Sequence, residues 1–214
     1  MDDQVIAAMA KWPDVPAVYG WLSLTETGQW RLHPQGDALQ RLDSAGEDIT
    51  SPQILAFMDR NYDADSHGQW YFQNGPQRVY VRLDAAPLIV HTTTDPASGA
   101  LKLRTHTGLD VQEMLALYLD ETGRLYAATD RGPALLAGRD LPSVLDALEL
   151  DAADAAPDDP TDLAELLADG LAPEETLSVT SRLIQGFPPS SITLQYCPQD
   201  ELEEALGFRR HPAL

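Results

Sequence analysis

The stretch Trp70-Tyr-Phe-Gln-Asn-Gly-Pro-Gln-Arg-Val-Tyr-Val-Arg-Leu-Asp84 decides how this chain is read. Through Gln77–Asp84, Val79, Val81 and Leu83 take one side while Arg78, Tyr80, Arg82 and Asp84 take the other, the two-residue period of a half-buried strand. One face is expected to make core. The other is expected to carry two arginines and a tyrosine into water, in a chain of formal charge -20.

Outward from this strand, four segments repeat one plan, an apolar run entering a polar turn that contains glycine. They are Trp21–Trp30, Asp65–Trp70, Asp95–Leu101 and Leu117–Tyr126, with glycines at 28, 68, 99 and 123. A glycine at the end of such a turn supplies the positive φ that three- to five-residue hairpin loops need. The segment at Asp65 reads either as a hairpin or as a helix-to-strand joint. Uneven glycine spacing excludes a solenoid repeat.

Thr50-Ser-Pro-Gln53 offers a capping box and an early proline, and predicts a helix with Ile54, Leu55, Met58 and Tyr62 on one face. A shorter helix is predicted after Asp140 or Ser143, with Leu141, Val144, Leu145 and Leu148 at helical spacing. Asp162–Asp169, closed by Gly170, and a segment from Pro198 to Gly207 read as further helices, with Ile192–Cys197 as a strand. The fold class expected is therefore α+β: a β-rich body over 1–150, built of antiparallel hairpins with one principal helix. An acidic linker over 151–161 and a small C-terminal segment over 162–214 complete the expected organisation.

With 214 residues, 43% apolar and 22% charged, the chain can bury a substantial core. No apolar run approaches the length of a membrane-spanning helix, and net charge -20 repels phosphate backbones and anionic lipid. Nucleic acid and membrane are accordingly excluded as expected partners. The acidity is uneven: from Asp140 to Phe208, sixteen acidic side chains face one basic residue, Arg182. The single cysteine, Cys197, and an acidic start without a secretory pattern place the chain in the cytoplasm.

Chemical motifs are sparse. Asp63-Ala-Asp-Ser-His-Gly68 begins like a calcium loop, but position five is His67 and position twelve is Asn74, so it reads better as a polar turn. No Gly-x-Ser-x-Gly, His-Glu-x-x-His, Cys-x-x-Cys or phosphate-cradling glycine motif occurs, so no metal, cofactor or catalytic residue is assigned. His91 and His106 become neighbours if their strands pair. Cys197 precedes Pro198, where a helix dipole would stabilise a thiolate, against a competing reading as a packed strand residue. Trp12, Trp21, Trp30 and Trp70, with Tyr71 and Phe72, fit either a ligand groove or cross-strand packing.

The leading candidate site is the basic patch within Gln77–His106: Arg78, Tyr80 and Arg82 on one strand, and Lys102, Arg104 and His106 on another. A solvated sheet face, cover by the chain's own acidic C-terminal segment, and recruitment of an acidic protein or small anionic ligand compete for it. Trp12-Pro-x-Val-Pro, Gly20-Trp-Leu, Arg60-Asn-Tyr and Trp70–Val81 resemble an uncharacterised proteobacterial family of unknown function, over roughly the first 150 residues. That resemblance implies no activity. The leading functional reading is a non-enzymatic binding protein that uses the arginine and tyrosine face. The alternatives are an enzyme on a small anionic substrate, with Arg78 and Arg82 holding it and His91 or His106 moving a proton, and a subunit of a homo-oligomer.

Overall fold

The structure, a computed structural model, describes residues 1–151, 163–173, 175–181 and 191–213. They form two compact units, one of Met1–Pro87 with Gly207–Leu214 and one of Leu88–Leu206. The first contains α1 (Asp3–Lys11), β1 (Val18–Leu24), β2 (Trp30–Leu32), β3 (Glu47–Asp48), α2 (Pro52–Arg60), β4 (Tyr62–Ala64), β5 (Trp70–Asn74) and β6 (Gln77–Leu83). Its strands make one sheet in the order β3-β2-β1-β6-β5-β4. The β1–β6 pair is parallel and the rest are antiparallel.

The second unit contains β7 (Leu88–Thr94), β8 (Leu101–Thr105), β9 (Met114–Leu119), β10 (Leu125–Thr129), β11 (Gly132–Leu136), α3 (Leu141–Leu145) and β12 (Leu148–Leu150). It continues with α4 (Leu163–Asp169), β13 (Thr176–Ser181), β14 (Ser191–Tyr196) and α5 (Leu202–Leu206). Its sheet runs β12-β13-β14-β9-β10-β11-β7-β8, with parallel pairs at β14–β9 and β11–β7.

The expected α+β fold with a principal helix is thus corrected to a β-rich one with two mixed sheets of six and eight strands. No helix dominates: α1 and α2 have nine residues each, and the other described helices have five to seven. The helix after Pro52 ends at Arg60, and Tyr62 leaves its expected face to begin β4. The three parallel pairings explain why hairpin reasoning fell short, since they join strands with no turn between them to announce the contact.

Hairpins stand where the turn chemistry put them. Gly28, Gly68, Gly99 and Gly123 all have positive φ, and the Asp65 segment resolves as the β4–β5 hairpin. Each of three turns is locked by its first side chain: Thr25 Oγ1 accepts from Gln29 N at 3.0 Å, Asp65 Oδ1 from Gln69 N at 3.0 Å, and Asp120 Oδ1 from Arg124 N at 2.9 Å. Such bonds from Asp or Thr to backbone stabilise turns directly. Gly68 carries an additional demand, because a Cβ there would overlap the backbone oxygen of Gly207.

In the second unit, β13 and β14 pair within the same sheet as β9 and β12, at the far side of the strand order from β8. Asp151 accepts hydrogen bonds from Thr180 and Ser191. The remainder of the expected 151–161 linker, and the cap at Asp162, lie outside the described residues. Three of the four sheet edges are short, β3, β4 and β12 having two or three residues, while the fourth, β8, has five and carries Lys102 and Arg104.

Candidate functional site

The β6 strand delivers the alternation read from sequence but not the wet face. Val79, Val81 and Leu83 are buried on one side, and Tyr80 and Arg82 are buried on the other, at 6% and 4% exposure. The cause is position in the sheet. β6 lies between β1 and β5, and the loop from His33 to Gly46 folds over its polar side. Arg82 ties that loop down: its guanidinium donates to the carbonyls of Ala38 (2.9 Å), Arg41 (3.3 Å), Leu42 (3.4 Å) and Ser44 (3.3 Å) and pairs with Asp84 at 3.1 Å. Buried charge of this kind is tolerable because the two terminal nitrogens of the guanidinium are met by oxygens, while Nε is buried without a partner among the described residues. His33, buried in the same place, bonds Ser23 Oγ at 2.9 Å, and burial followed by the nearby Arg82 charge lowers its pKa.

Tyr80 stacks on Tyr19 at 4.6 Å and donates from its hydroxyl to Asp65 Oδ2 at 2.9 Å. Burial first, and the Asp65 carboxylate second, push its phenol pKa up. Arg78 is half-buried over the ring of Tyr71, 4.4 Å from its centroid. Arg78, Tyr80 and Arg82 are therefore structural members of one covered face rather than an exposed recognition strip.

Lys102, Arg104 and His106 belong to the other unit, so the sequence-level patch is not one sheet face. Lys102 pairs with Asp95 at 3.4 Å in a partly buried ion pair, and Arg104 with Asp110 at 2.7 Å in a more exposed one. His106 is buried. Its Nδ1 accepts from Ile89 N at 3.2 Å, and burial, reinforced by the neighbouring His91, lowers its pKa to about 3. Strand pairing does bring His91 near, as expected, and His91 Nδ1 stands 3.2 Å from Asp140 Oδ2. Arg78 and Arg82, which the enzyme reading paired with these histidines, belong to the first sheet, and His91 and His106 to the second unit.

Cys197 is buried, ahead of a helix that begins only at Leu202. Burial, then Glu201, Asp200 and Glu121, raise its thiol pKa, the opposite of nucleophile activation. Asp65 is engaged by the backbone of its own turn, and no group of three or more metal-ligating side chains occurs among the described residues.

What sequence reasoning passed over lies on the opposite face of the first sheet. A groove of about 640 Å³ is lined by Val18, Leu22, Leu32, Phe72 and Val79 from the strands and by Ile54 and Met58 from α2. A bulge builds it. Val18 pairs with Val79 and Leu22 with Val81, so four steps along β1 match two along β6, and Gly20 sits at φ 79° within the bulge. A side chain at Gly20 would strike the Gly36 carbonyl, so only glycine permits this path. Trp21, 42% exposed, is thereby placed at the rim, and Ile54 at 51% completes the mouth. Glu47, Asp48, Thr50, Ser51, Asn74 and Gln77 supply the polar lining. Of the six aromatic residues weighed for a groove or for packing, Trp21 and Phe72 line this one; Trp12 is exposed and not part of its lining, and Trp30, Trp70 and Tyr71 are buried, with Trp30 Nε1 donating to Asp59 Oδ1 at 3.0 Å.

No curated protein matches the chain. A DUF1285 family protein from Silicibacter pomeroyi DSS-3 is similar in structure at TM-score 0.45 and 16% identity, covering 71% of this chain and 88% of its own. Another, from Shewanella baltica OS155, gives TM-score 0.39 and 13% identity over 56% of this chain and 86% of its own. A family model, DUF2944, described as "Protein of unknown function (DUF2946)", matches residues 1–213, extending past the 150 residues that carried the resemblance in sequence. Over essentially its whole length, then, the chain belongs to this family of unknown function.

Proposed function

We propose that the protein acts by binding, in the cytoplasm, and that its ligand is a small, mainly apolar molecule held in the groove between the first sheet and α2. The carrying observation is the groove itself. Its volume of about 640 Å³ falls in the range of small-molecule sites, and aromatic and aliphatic walls with a few polar groups are what such sites use. Two large apolar side chains, Trp21 and Ile54, stand half-exposed at its mouth, and covering them gives a ligand its hydrophobic driving force. The reading that led in sequence, a partner held on the arginine and tyrosine face, is set aside here because Arg82 is buried and spends its guanidinium on loop carbonyls.

The test uses N-phenyl-1-naphthylamine, a neutral apolar fluorophore, titrated into the full chain. Ile54 is surface-exposed, so Ile54→Lys preserves the fold while placing an ammonium at the mouth. Saturable fluorescence gain in the native protein, weakened about tenfold or more in the variant, is the expected result. Equal binding by both proteins refutes the groove as the site.

A further inference from the structure

Strand alternation strips the groove of the first unit of positive charge. Leu32 of β2 and Val79 of β6 line it, so their chain neighbours Arg31 and Arg78 fall on the far face of the sheet, as does Arg82. All three guanidiniums are engaged away from the groove: Arg78 lies over the Tyr71 ring, Arg82 donates to loop carbonyls, and Arg31 Nη1 pairs with Asp48 at 2.6 Å. No Lys, Arg or His is among the described lining residues.

The β2–β3 register sorts the two acids in the same way. Residues directly opposite on paired strands share a face, which puts Asp48 with Arg31 and Glu47 with Leu32. Both acids border the groove, but Asp48 is neutralised by its partner. Glu47 is exposed and makes no ion pair among the described residues, so its charge acts on whatever enters beside Leu32. The other polar groups at the border, Thr50, Ser51, Asn74 and Gln77, are uncharged and offer hydrogen bonds to a hydroxyl or amide.

A carboxylate or sulfonate on an apolar body meets no counter-ion here. It either gives up hydration inside, which costs an ionised group far more than a hydroxyl, or stays at the mouth near a like charge. On the footing of the binding reading above, we propose that the groove selects uncharged apolar molecules over anionic ones of the same body, and that Glu47 is the residue that sets this preference.

The experiment displaces N-phenyl-1-naphthylamine from the full chain with octan-1-ol or octanoate at neutral pH and low ionic strength, so that both competitors report on one site. Octan-1-ol is expected to displace the fluorophore at a concentration about tenfold or more below that of octanoate. An alcohol also enters any apolar site more readily than a carboxylate does, so the deciding readout is how this ratio moves on mutation. Glu47→Lys is expected to shrink the ratio about fivefold or more, Glu47→Gln to shrink it less, and added salt to narrow the difference between the proteins. A ratio unmoved in both variants, or octanoate as potent as octan-1-ol in the native chain, overturns the assignment. Should circular dichroism show Glu47→Lys unfolded, Glu47→Gln carries the same comparison, and an unmoved ratio there overturns it equally. Fluorophore binding that Ile54→Lys weakens, with a ratio indifferent to residue 47, removes this inference alone. A fluorophore that does not bind, or that binds equally to Ile54→Lys, removes the groove reading and this inference with it.

Discussion

Replacing Arg82 with Met tests whether this arginine is architecture or recognition surface. The side chain is 4% exposed and donates to four loop carbonyls, of which Ala38 O at 2.9 Å has the best distance, while also facing Asp84 at 3.1 Å. Hydrogen bonds from a charged group are worth about 1.5–3 kcal/mol, and removing one partner of a buried charge cluster costs about 3–5 kcal/mol. Asp84 is 38% exposed and rehydrates, so about 3 kcal/mol is the expected loss. Arg78→Ala removes a half-exposed stack on Tyr71, worth about 0.5–1 kcal/mol. Tryptophan fluorescence reports the right unit, since Trp12, Trp21, Trp30 and Trp70 all lie in Met1–Pro87. In urea, Arg82→Met should lower the midpoint by about 1–2 M and Arg78→Ala by less than about 0.7 M. Arg82→Lys should fall between them, because one ammonium keeps the charge but not the fork. Equal midpoints for Arg82→Met and Arg78→Ala refute the reasoning.

Gly20→Ala forces a side chain into a positive-φ position against the Gly36 carbonyl; it should cost about 2 kcal/mol or more by urea unfolding and weaken fluorophore binding in the groove that the bulge shapes. Asp65→Ala removes the acceptor for the β4–β5 turn and for the Tyr80 hydroxyl, with an expected loss of about 2 kcal/mol, whereas Tyr80→Phe should lose about 1. For His106 the folded pKa, about 3, lies below the unfolded value of about 6.5, so between these limits the unfolded chain binds a proton that the native one does not. Stability should therefore fall as pH drops from about 6.5 towards 3, and the His106 ring resonances should stay unchanged from pH 7.5 to 4.5; a native titration near 6 contradicts its burial.

The sequence was most legible where a local interaction decides the geometry. Turn positions at Gly28, Gly68, Gly99 and Gly123 followed from positive φ, and the two-residue period of β6 correctly set Val79, Val81 and Leu83 in core. Less legible was anything requiring knowledge of what covers a face. Alternation tells which way Arg82 points, but not that residues 33–46 fold over it and spend its donors on carbonyls. A charged residue on the far side of an apolar stripe reads as solvated unless a second layer is known. The groove was hidden for a related reason. Val18, Leu22, Phe72 and Val79 come together only through the parallel β1–β6 pairing and its bulge, and the one local clue was Gly20 ahead of an exposed Trp21. His91 and His106 were brought together by a plain hairpin, and that much the spacing allowed.

The most direct measurement of the binding account is methyl-resolved NMR of the full chain, labelled at Ile, Leu and Val, during titration with N-phenyl-1-naphthylamine. Saturating shifts are predicted at Val18, Leu22, Leu32, Ile54 and Val79, with the β14 and α3 methyls unmoved. Shifts scattered over both units, or none at Ile54 and Val79, contradict it.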